Sequence, residues 1–285
     1  MSEAAEFART ACVWEVMARK VGNVHPHARF GDLNHTDFLR SADSLAGVIG
    51  VSEALGVGET ILRAVQARIA VTPSNTNLGI IFLLVPLVKT GDRRGLEMLL
   101  SKLTVDDARS AFEAIRIAAA GGLGEVSEQS VAAEPTVTLL DAMRLAADRD
   151  MIAKQYATGF ADIFDCGVPH LLRGFEKYGS VEAAIIECQL SWLASFPDSL
   201  IERKCGISSA NEVRNRAWET FADGGLSSTA GRASGVRLDA YLRSHGNRLN
   251  PGTTADLVTA CLFVALREHK LKPSDPFPWP APDWL

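Results

Sequence analysis

Apolar residues recur at steps of three and four along most of the chain, which is the spacing of one face of an α-helix. Near the amino terminus, Phe7, Ala11, Trp14 and Ala18 follow this spacing. No segment between turn signals shows the strict alternation of apolar and polar residues that is typical of a strand. The pattern therefore predicts an all-α fold, with a single globular multi-helix domain over residues 1–285 and roughly ten to twelve helices.

Capping signals and periodicity give bounds for these helices. Thr36 is predicted to cap a helix that Gly56 stops, and Thr104 is predicted to start another. Further predicted helices cover residues 77–89, 92–102, 105–119, 136–152, 154–164, 181–195, 208–222, 236–245 and 254–268. Residues 121–134 are predicted to form a long functional loop. The Pro- and Trp-rich tail, residues 273–285, is predicted to lie extended over the body.

Composition and charge exclude several classes of protein. The 285 residues are 47% hydrophobic and 22% charged, which is ordinary for a globular protein. A net charge of −5 gives no electrostatic reason to expect nucleic acid as a partner. Five dispersed cysteines without CxxC spacing favour a reducing compartment over a disulfide framework or zinc site. The apolar window at 78–88 is too short to span a bilayer, and no signal peptide is recognised, so we expect a cytoplasmic protein.

Six short polar blocks interrupt the helical pattern. They combine residues that break or cap helices with carboxylates, amides or cations, which a site assembled at helix ends requires. The blocks cover residues 20–26, 72–79, 121–125, 148–150, 197–204 and 250–256. We expect them to line one polar pocket, so the active site is predicted at helix termini.

Three aspartates in these blocks are the predicted metal ligands. Asp150 precedes an apolar segment, so its carboxylate needs a metal, a cation or a helix N-terminus to compensate its burial. Asp198 is followed by Arg203 and Lys204, and the acid with the two cations suits a metal-bound polyphosphate. Asp256 lies near a helix start that favours a bound anion, although Asp256 is itself acidic. A divalent cation that bridges Asp256 and the anion would make the two compatible. Capping by Asp198 and a first-turn position for Asp256 are the simpler alternatives.

Amides and one histidine are the remaining candidates. Asn75, Thr76 and Asn77 lie in a block without acid or base, and amides suit the recognition of a nucleobase or ribose. They could equally be turn and cap residues. His25, beside Asn23, suits a proton donor or a phosphate contact, and a structural turn is the alternative. No GxSxG motif, P-loop or strand-linked GxGxxG is present.

Taken in order, the blocks resemble the triphosphoribosyl-dephospho-CoA synthase family, which makes the prosthetic-group precursor of citrate lyase and malonate decarboxylase. The most specific parts are Asn-Pro-Gly-Thr-Thr-Ala-Asp at 250–256, Asn-Thr-Asn-Leu-Gly at 75–79 and Arg-Asp-Met-Ile-Ala at 149–153. The resemblance implies an all-helical fold and an unusual use of ATP. The 2′-hydroxyl of dephospho-CoA attacks C1 of the ATP ribose, adenine leaves, and the triphosphate stays on the transferred sugar, with Mg²⁺ as its companion.

The chain departs from the citrate-lyase branch of this family. Asn77-Leu78 stands where that branch has His-Lys, Leu123 replaces an arginine, and residues 19–22 lack both prolines of a Pro-Lys-Pro-Gly block. The chain is more similar to an archaeal-type branch, found also in some methylotrophic bacteria, which lacks an obvious citrate-lyase partner. The acceptor is therefore left open between dephospho-CoA and another coenzyme precursor, such as a pterin one-carbon carrier.

The resemblance and the residue types together give each candidate a hypothetical role. Displacement at an anomeric carbon passes through an oxocarbenium-like state, so the acceptor needs a base and the leaving adenine needs a proton. Glu125 is the predicted base, a metal-linked aspartate such as Asp150 is the second choice, and His25 is the predicted acid. The predicted nucleotide- and substrate-binding residues are Lys20, Asn23, Asn75, Thr76, Asn77, Arg203, Lys204, Asn250, Gly252 and Thr253, and the predicted metal ligands are Asp150, Asp198 and Asp256.

Two other functions use the same residues. A metal-dependent hydrolase could cleave an N-glycosidic or phosphate bond with these carboxylates, and a non-catalytic binding subunit could use them only as helix caps. For the transferase, the expected partners are nucleotide and coenzyme-like small molecules, with no nucleic acid and no membrane. A homodimer is compatible with this expectation.

Overall fold

A computed structural model describes residues 2–31, 33–72, 74, 76–120 and 134–279. Over these residues the chain forms fourteen α-helices, one π-helical turn and one 3₁₀ turn. In the same ranges no strand is present, and only His25 and Ala28 form an isolated β-bridge. The all-α prediction is confirmed. None of the described helices has both the length and the apolar character needed to cross a membrane.

The chain divides into two compact units, the first formed by Met1–Val13 and Thr36–Ala161 and the second by Trp14–His35 and Asp162–Leu285. The first unit contains most of α1 (Glu3–Met17) and α2 (His35–Ile49), together with α3 (Val57–Val71), α4 (Leu78–Val88), α5 (Arg93–Leu100), α6 (Val105–Ala120), α7 (Leu139–Ala146) and α8 (Met151–Ala157). The second contains the π-helical turn (Ile163–Gly167), α9 (Val168–Tyr178), α10 (Val181–Ser195), α11 (Ser199–Cys205), α12 (Ile207–Ala222), the 3₁₀ turn (Gly225–Ser227), α13 (Thr229–Arg243) and α14 (Gly252–Arg267). The single-domain assignment stays a prediction.

Helix α4 is the centre of the first unit. It packs against α3, α5 and α8, and every residue from Ile80 to Leu87 is buried. Pro86 has no N–H group, so it cannot donate to the carbonyl oxygen of Phe82 one turn earlier. The Tyr156 hydroxyl of α8 donates to that oxygen instead, at 2.6 Å. The backbone hydrogen bond that Pro86 cannot make is thus replaced by one from a side chain of a neighbouring helix.

Helix α10 has the same role in the second unit. It packs against α9, α12 and α14, and ten of its first thirteen residues are apolar or small. The carboxyl-terminal segment contacts the start of α10. Val181 N donates to Pro276 O at 2.9 Å, and Glu182 N donates to Phe277 O at 3.0 Å. Trp279 is buried and its N–H donates to the Glu182 carboxylate at 2.7 Å. The first N–H groups of α10 are therefore satisfied by the tail.

The helix bounds differ from prediction around Asp150. Instead of helices over 136–152 and 154–164, the chain forms α7 and α8, with a break before Met151. Asp150 has extended dihedral angles, and its Oδ1 accepts hydrogen bonds from Ile152 N at 2.8 Å and Ala153 N at 3.0 Å. Asp150 is therefore the N-cap of α8, which supplies the helix N-terminus that its burial requires.

Three other predicted bounds were wrong or incomplete. Gly56 does not stop α2, which ends at Ile49; it is the N-cap of α3. Helix α9 was not predicted, although Pro169 lies in its first turn, where proline is favoured. Helix α13 begins at Thr229 rather than at residue 236, because Ser228 caps it by accepting from Gly231 N at 2.8 Å. The predicted start at Thr104 is confirmed, since its hydroxyl accepts from Asp107 N at 3.1 Å.

Candidate active site

Asp198 joins the starts of two helices in the second unit. Its Oδ1 accepts from Leu200 N at 3.0 Å and Ile201 N at 3.1 Å, as the N-cap of α11. Its Oδ2 accepts from Thr254 N and Thr254 Oγ1, both at 2.8 Å, at the start of α14. Asp198 is 2% exposed, and burial raises the pKa of its carboxyl against these hydrogen bonds. The anion at the N-terminus of α14 is therefore Asp198 itself.

The close approach of these two helix starts depends on small and hydroxyl side chains. Ser199 Oγ donates to Thr253 Oγ1 at 3.1 Å. A Cβ on Gly252 would lie 2.6 Å from Leu200 Cδ2, so a larger residue at this position would push α11 away. The Asn-Pro-Gly-Thr-Thr block is thus shaped to receive α11. Asn250, the first residue of this block, is buried.

Three amides extend this arrangement to the loop after α1. Asn23 Nδ2 donates to Asn250 Oδ1 at 2.7 Å, and Gln189 Nε2 donates to Asn23 Oδ1 at 2.6 Å. Gln189 also exchanges two hydrogen bonds with the backbone of Val21, at 2.8 and 3.0 Å. We call Asn23, Gln189, Asp198, Asn250 and Thr254 the helix-start cluster. It confirms that the blocks at 20–26, 197–204 and 250–256 meet, while its polar groups are largely satisfied by one another.

Helix α13 fixes the same loop from another side. Arg243 Nη2 donates to Asn23 O at 2.8 Å, and its Nε contacts both Asp239 oxygens at 2.9 Å. Asp239 accepts in turn from Gly22 N at 2.7 Å. In the described chain, Arg243 Nη1 is buried without a hydrogen-bond partner, so one donor is available to a ligand. A Cβ on Gly22 would lie 2.5 Å from Leu242 Cδ1, and the φ of Gly22 is +68°, which only glycine adopts readily.

Lys20, predicted to bind the nucleotide, is fully buried in an internal ion pair. Its Nζ lies 3.1 Å from Glu15 Oε1 and also donates to the backbone oxygens of Glu15 and Ala18. Burial lowers the pKa of Lys20, and the Glu15 carboxylate opposes this shift. A direct contact between Lys20 and a ligand would require this pair to open. The geometry supports a structural role for it.

His25 is held by this loop and is 4% exposed. Burial lowers its pKa to about 3, and the positive charges of Lys20 and Arg243 act in the same direction, followed by those of His27 and Arg19. His25 is therefore neutral at pH 7. His27 N donates to its Nδ1 at 3.3 Å, which assigns the ring proton to Nε2. In this state the imidazole can donate a hydrogen bond, but it lacks the extra proton of an acid.

Arg203 and Lys204 lie at the opposite end of α11 from Asp198. Both are exposed in the last turn of α11, where cations interact favourably with the helix dipole. Lys204 Nζ donates to Asn247 Oδ1 at 3.1 Å. At about 1.5 Å per residue, they lie roughly 8 Å along the axis from the capped end. Neither cation therefore contacts Asp198, and their binding to a polyphosphate stays a prediction.

The remaining candidates lie in the first unit or outside the described residues. Asn77 is the N-cap of α4 and is 1% exposed, and neither atom of its amide has a hydrogen-bond partner in the described ranges. Thr76 Oγ1 lies 2.5 Å from Ser41 Oγ of α2. Glu125 and Asn75 lie outside the described residues.

The predicted three-aspartate metal site finds no support in the donor geometry. Both oxygens of Asp198 already accept two protein hydrogen bonds each, which uses the lone pairs that a metal would need. Asp256 is half-buried in the second turn of α14, and Asp150 caps α8. Within the described part of the chain, no three His, Cys, Asp or Glu side chains form a group that could hold a metal ion. Magnesium binding stays a prediction.

Sequence reasoning missed Gln189, Asp239 and Arg243. They lie inside α10 and α13 rather than in turns, so a search for polar blocks passes over them. Gln189 did carry a signal, since it is a polar residue within the apolar run of α10 and is completely buried. Buried polar side chains need partners, so such a position predicts a specific contact.

Comparison with known proteins shows what the chain is similar to. A 28% identical segment of 120 residues matches a probable 2-(5''-triphosphoribosyl)-3'-dephosphocoenzyme-A synthase of Pseudomonas syringae pv. tomato and covers 42% of this chain and 40% of that protein. The first such matches thus span about two-fifths of the relatives' length. A longer match, 27% identical over 249 residues, covers 83% of this chain and 76% of a probable synthase of the same name from Pseudomonas syringae pv. syringae.

The fold has a solved counterpart. A crystal structure of a candidate triphosphoribosyl-dephospho-CoA synthase from Archaeoglobus fulgidus superposes with a TM-score of 0.63 at 26% identity, and covers 81% of this chain and 98% of that one. The family model described as ATP:dephospho-CoA triphosphoribosyl transferase matches residues 1–275. The chain therefore belongs to the ATP:dephospho-CoA triphosphoribosyl transferase family (CitG).

Proposed function

We propose that this chain transfers a 5-triphosphoribosyl group from ATP to a hydroxyl acceptor and releases adenine. Its family membership supports the reaction type. The observation that carries the proposal is His25, a buried and neutral imidazole in the loop after α1, close to the positive charges of Lys20 and Arg243. Dephospho-CoA is the proposed acceptor because the family is named for it, and another coenzyme precursor is the alternative.

The surroundings of His25 suggest how donor binding and proton transfer are coupled. In the free protein, burial and nearby cations hold its pKa at about 3. An anionic triphosphate beside the ring would offset those charges and raise the pKa, because an opposite charge favours the protonated form. His25 would then become able to protonate adenine as the bond to C1 breaks. Arg243 Nη1, buried and unpartnered in the described chain, is a donor for the same ligand.

Two proposed contributions rest on the sequence. Glu125 is proposed to accept the proton of the acceptor hydroxyl, which is worth about 10²–10⁴-fold in rate for a general base. Mg²⁺ is proposed to arrive bound to the triphosphate and to neutralise part of its charge, as is usual for Mg²⁺ at phosphate sites. Asp256 is the proposed protein ligand, whereas Asp150 and Asp198 act as helix caps.

The test is a direct assay of both products. Purified protein is incubated with ATP and MgCl₂, with and without dephospho-CoA, and adenine and the nucleotide products are followed by liquid chromatography and mass spectrometry. The transferase predicts adenine and triphosphoribosyl-dephospho-CoA in equal amounts, and only with the acceptor. Adenine and free ribose triphosphate without acceptor would identify a hydrolase instead.

Variants and acceptors refine this assay. His25→Gln is expected to reduce turnover by about 10²-fold or more, as for loss of a general acid, whereas His27→Gln, at an exposed neighbour, is the matched control. Equal turnover of the two variants would remove His25 from the mechanism. If dephospho-CoA gives no product but adenine forms with a pterin precursor, the alternative acceptor is correct. No adenine under any of these conditions would overturn the proposed function.

A further inference from the structure

Arg68 is a buried cation for which the described chain provides no counter-charge. It lies in the last turn of α3, is 1% exposed, and heads the fully buried side chains by volume. Nη1 donates to the backbone oxygen of Ser74 at 3.0 Å. Within the described residues, Nε and Nη2 are both buried without a hydrogen-bond partner. The contrast with Lys20, which is equally buried but paired with Glu15, shows that this chain can neutralise a buried cation where only structure is required.

The unpartnered atoms of Arg68 form one edge of the guanidinium. The N–H bonds of Nε and Nη2 are parallel, and this edge matches two oxygens of one phosphate or carboxylate. A buried charge without a partner carries a large desolvation penalty, and each unmade hydrogen bond adds to it. A ligand that supplies two anionic oxygens would remove both penalties at once.

Asn77 provides a second, independent observation three residues after Ser74. Its amide is also buried, and neither Oδ1 nor Nδ2 has a partner in the described part of the chain. As N-cap of the eleven-residue helix α4 it makes no side-chain cap hydrogen bond. The side chain is therefore not used for the capping that its position would allow. Arg68 and Asn77 flank one short connection, Ser74 bonds to the first of them, and both present unused donors.

We propose that Arg68, with Asn77, forms a subsite for a phosphate group within the first unit. The inference rests on the proposed function, since both of its substrates, ATP and dephospho-CoA, carry phosphate groups that this edge can bind. Arg68 provides the bidentate contact through its Nε–Nη2 edge, and the Asn77 amide provides one further donor. The search for polar blocks missed this residue, because Arg68 lies within α3 between the apolar residues Ala67 and Ile69.

The experiment compares phosphate binding by three proteins. Wild type, Arg68→Met and Arg63→Met are titrated with inorganic tripolyphosphate, ATP and dephospho-CoA in a calorimeter. Arg63 lies on the same helix, is exposed and pairs with Glu59, so its variant controls for the change in net charge. Charge-assisted hydrogen bonds of this kind give an expected loss of about ten- to hundredfold in affinity for Arg68→Met with the ligands that bind the subsite. Arg63→Met is expected to bind like wild type.

The outcomes separate this inference from the proposed function. If Arg68→Met binds ATP, tripolyphosphate and dephospho-CoA as well as wild type does, the subsite is wrong and the transferase stands. If wild type binds none of these ligands, both are wrong. If Arg68→Met loses affinity for dephospho-CoA but keeps that for ATP, the subsite binds a phosphate of the acceptor.

Folding is controlled separately. Methionine replaces a buried charge that has, among the described residues, only the Ser74 carbonyl as its partner, so the unliganded variant is expected to be as stable as wild type or more stable. If it does not fold, Arg68→Lys, which keeps the charge and loses the fork, is titrated in its place. The wild-type protein offers a third measurement: tripolyphosphate should shift a slowly exchanging arginine Nε–H resonance in the ¹⁵N spectrum. An unshifted set of arginine resonances overturns the proposal.

Discussion

Replacing Asp198 by asparagine should destabilise the second unit by removing a carboxylate that caps two helices. Oδ1 of the new side chain can still accept from Leu200 N and Ile201 N, because asparagine is as good an N-cap as aspartate. The amide nitrogen would then face Thr254 N–H and Oγ1, which now donate to Oδ2 at 2.8 Å. The Thr254 hydroxyl can turn and accept. The Thr254 N–H cannot, and it is left buried and unpaired.

The magnitude follows from that one unpaired donor. An unsatisfied buried group costs about 1–3 kcal/mol. Asp198 is 2% exposed, so water does not repair the loss. For a chain of this size, each kcal/mol corresponds to roughly 2–4 °C in melting temperature. Asp198→Asn is therefore expected to lower the melting temperature by about 2–12 °C.

The assay is thermal unfolding followed by circular dichroism, with and without MgCl₂. Asp92→Asn is the matched control, since Asp92 caps α5 at an exposed site by accepting from Gly95 N at 2.7 Å. That variant should change the melting temperature little. The capping role of Asp198 is refuted if Asp198→Asn melts like wild type but loses the stabilisation by magnesium. Such a result would restore Asp198 as a metal ligand.

Two further predictions concern the loop after α1. The pKa of His25 falls to about 3 on folding, so between about pH 6.5 and 3 the unfolded chain binds a proton that the folded chain does not bind. The free energy of unfolding should therefore fall below pH 6.5 by up to about 1.4 kcal/mol per pH unit. Denaturant titrations at several pH values should show a weaker dependence of this free energy on pH for His25→Gln, but not for His27→Gln. Gly22→Ala should cost about 2–4 kcal/mol, from left-handed strain plus overlap with Leu242, whereas Gly246→Ala, at φ +62° in open space, should show the strain alone by the same titrations. Equal costs would refute the close contact at Gly22.

The fold class could be predicted from the sequence because helix periodicity and capping are local. Thr104 and its partner Asp107 lie three residues apart, and their reciprocal hydrogen bonds form within one turn. The break at Asp150 was missed, although the residue was recognised as needing compensation. Its carboxylate obtains that compensation from two backbone N–H groups directly after it. An aspartate before an apolar run is as much a helix start as a ligand.

The candidate site was predictable only in part, because its decisive contacts join residues far apart in the chain. Asn23 and Asn250 were both singled out as members of polar blocks, and they do bond to each other. Gln189 and Arg243 hold the same loop from within regular helices, where no turn signal marks them. The ion pair of Lys20 could not be predicted from the sequence either. Its partner Glu15 lies on the preceding helix, and only folding brings the two side chains together.

Lys20 and Arg68 show how burial separates structural from binding cations. Both are essentially inaccessible to water, and burial lowers the pKa of each. Lys20 has a carboxylate 3.1 Å away, so a bound phosphate would add little to a charge already matched. Arg68 has one carbonyl contact and a whole unpaired edge. Since a fold gains nothing from an unmatched buried charge, Arg68 rather than Lys20 is the cation whose position is explained by a phosphate ligand.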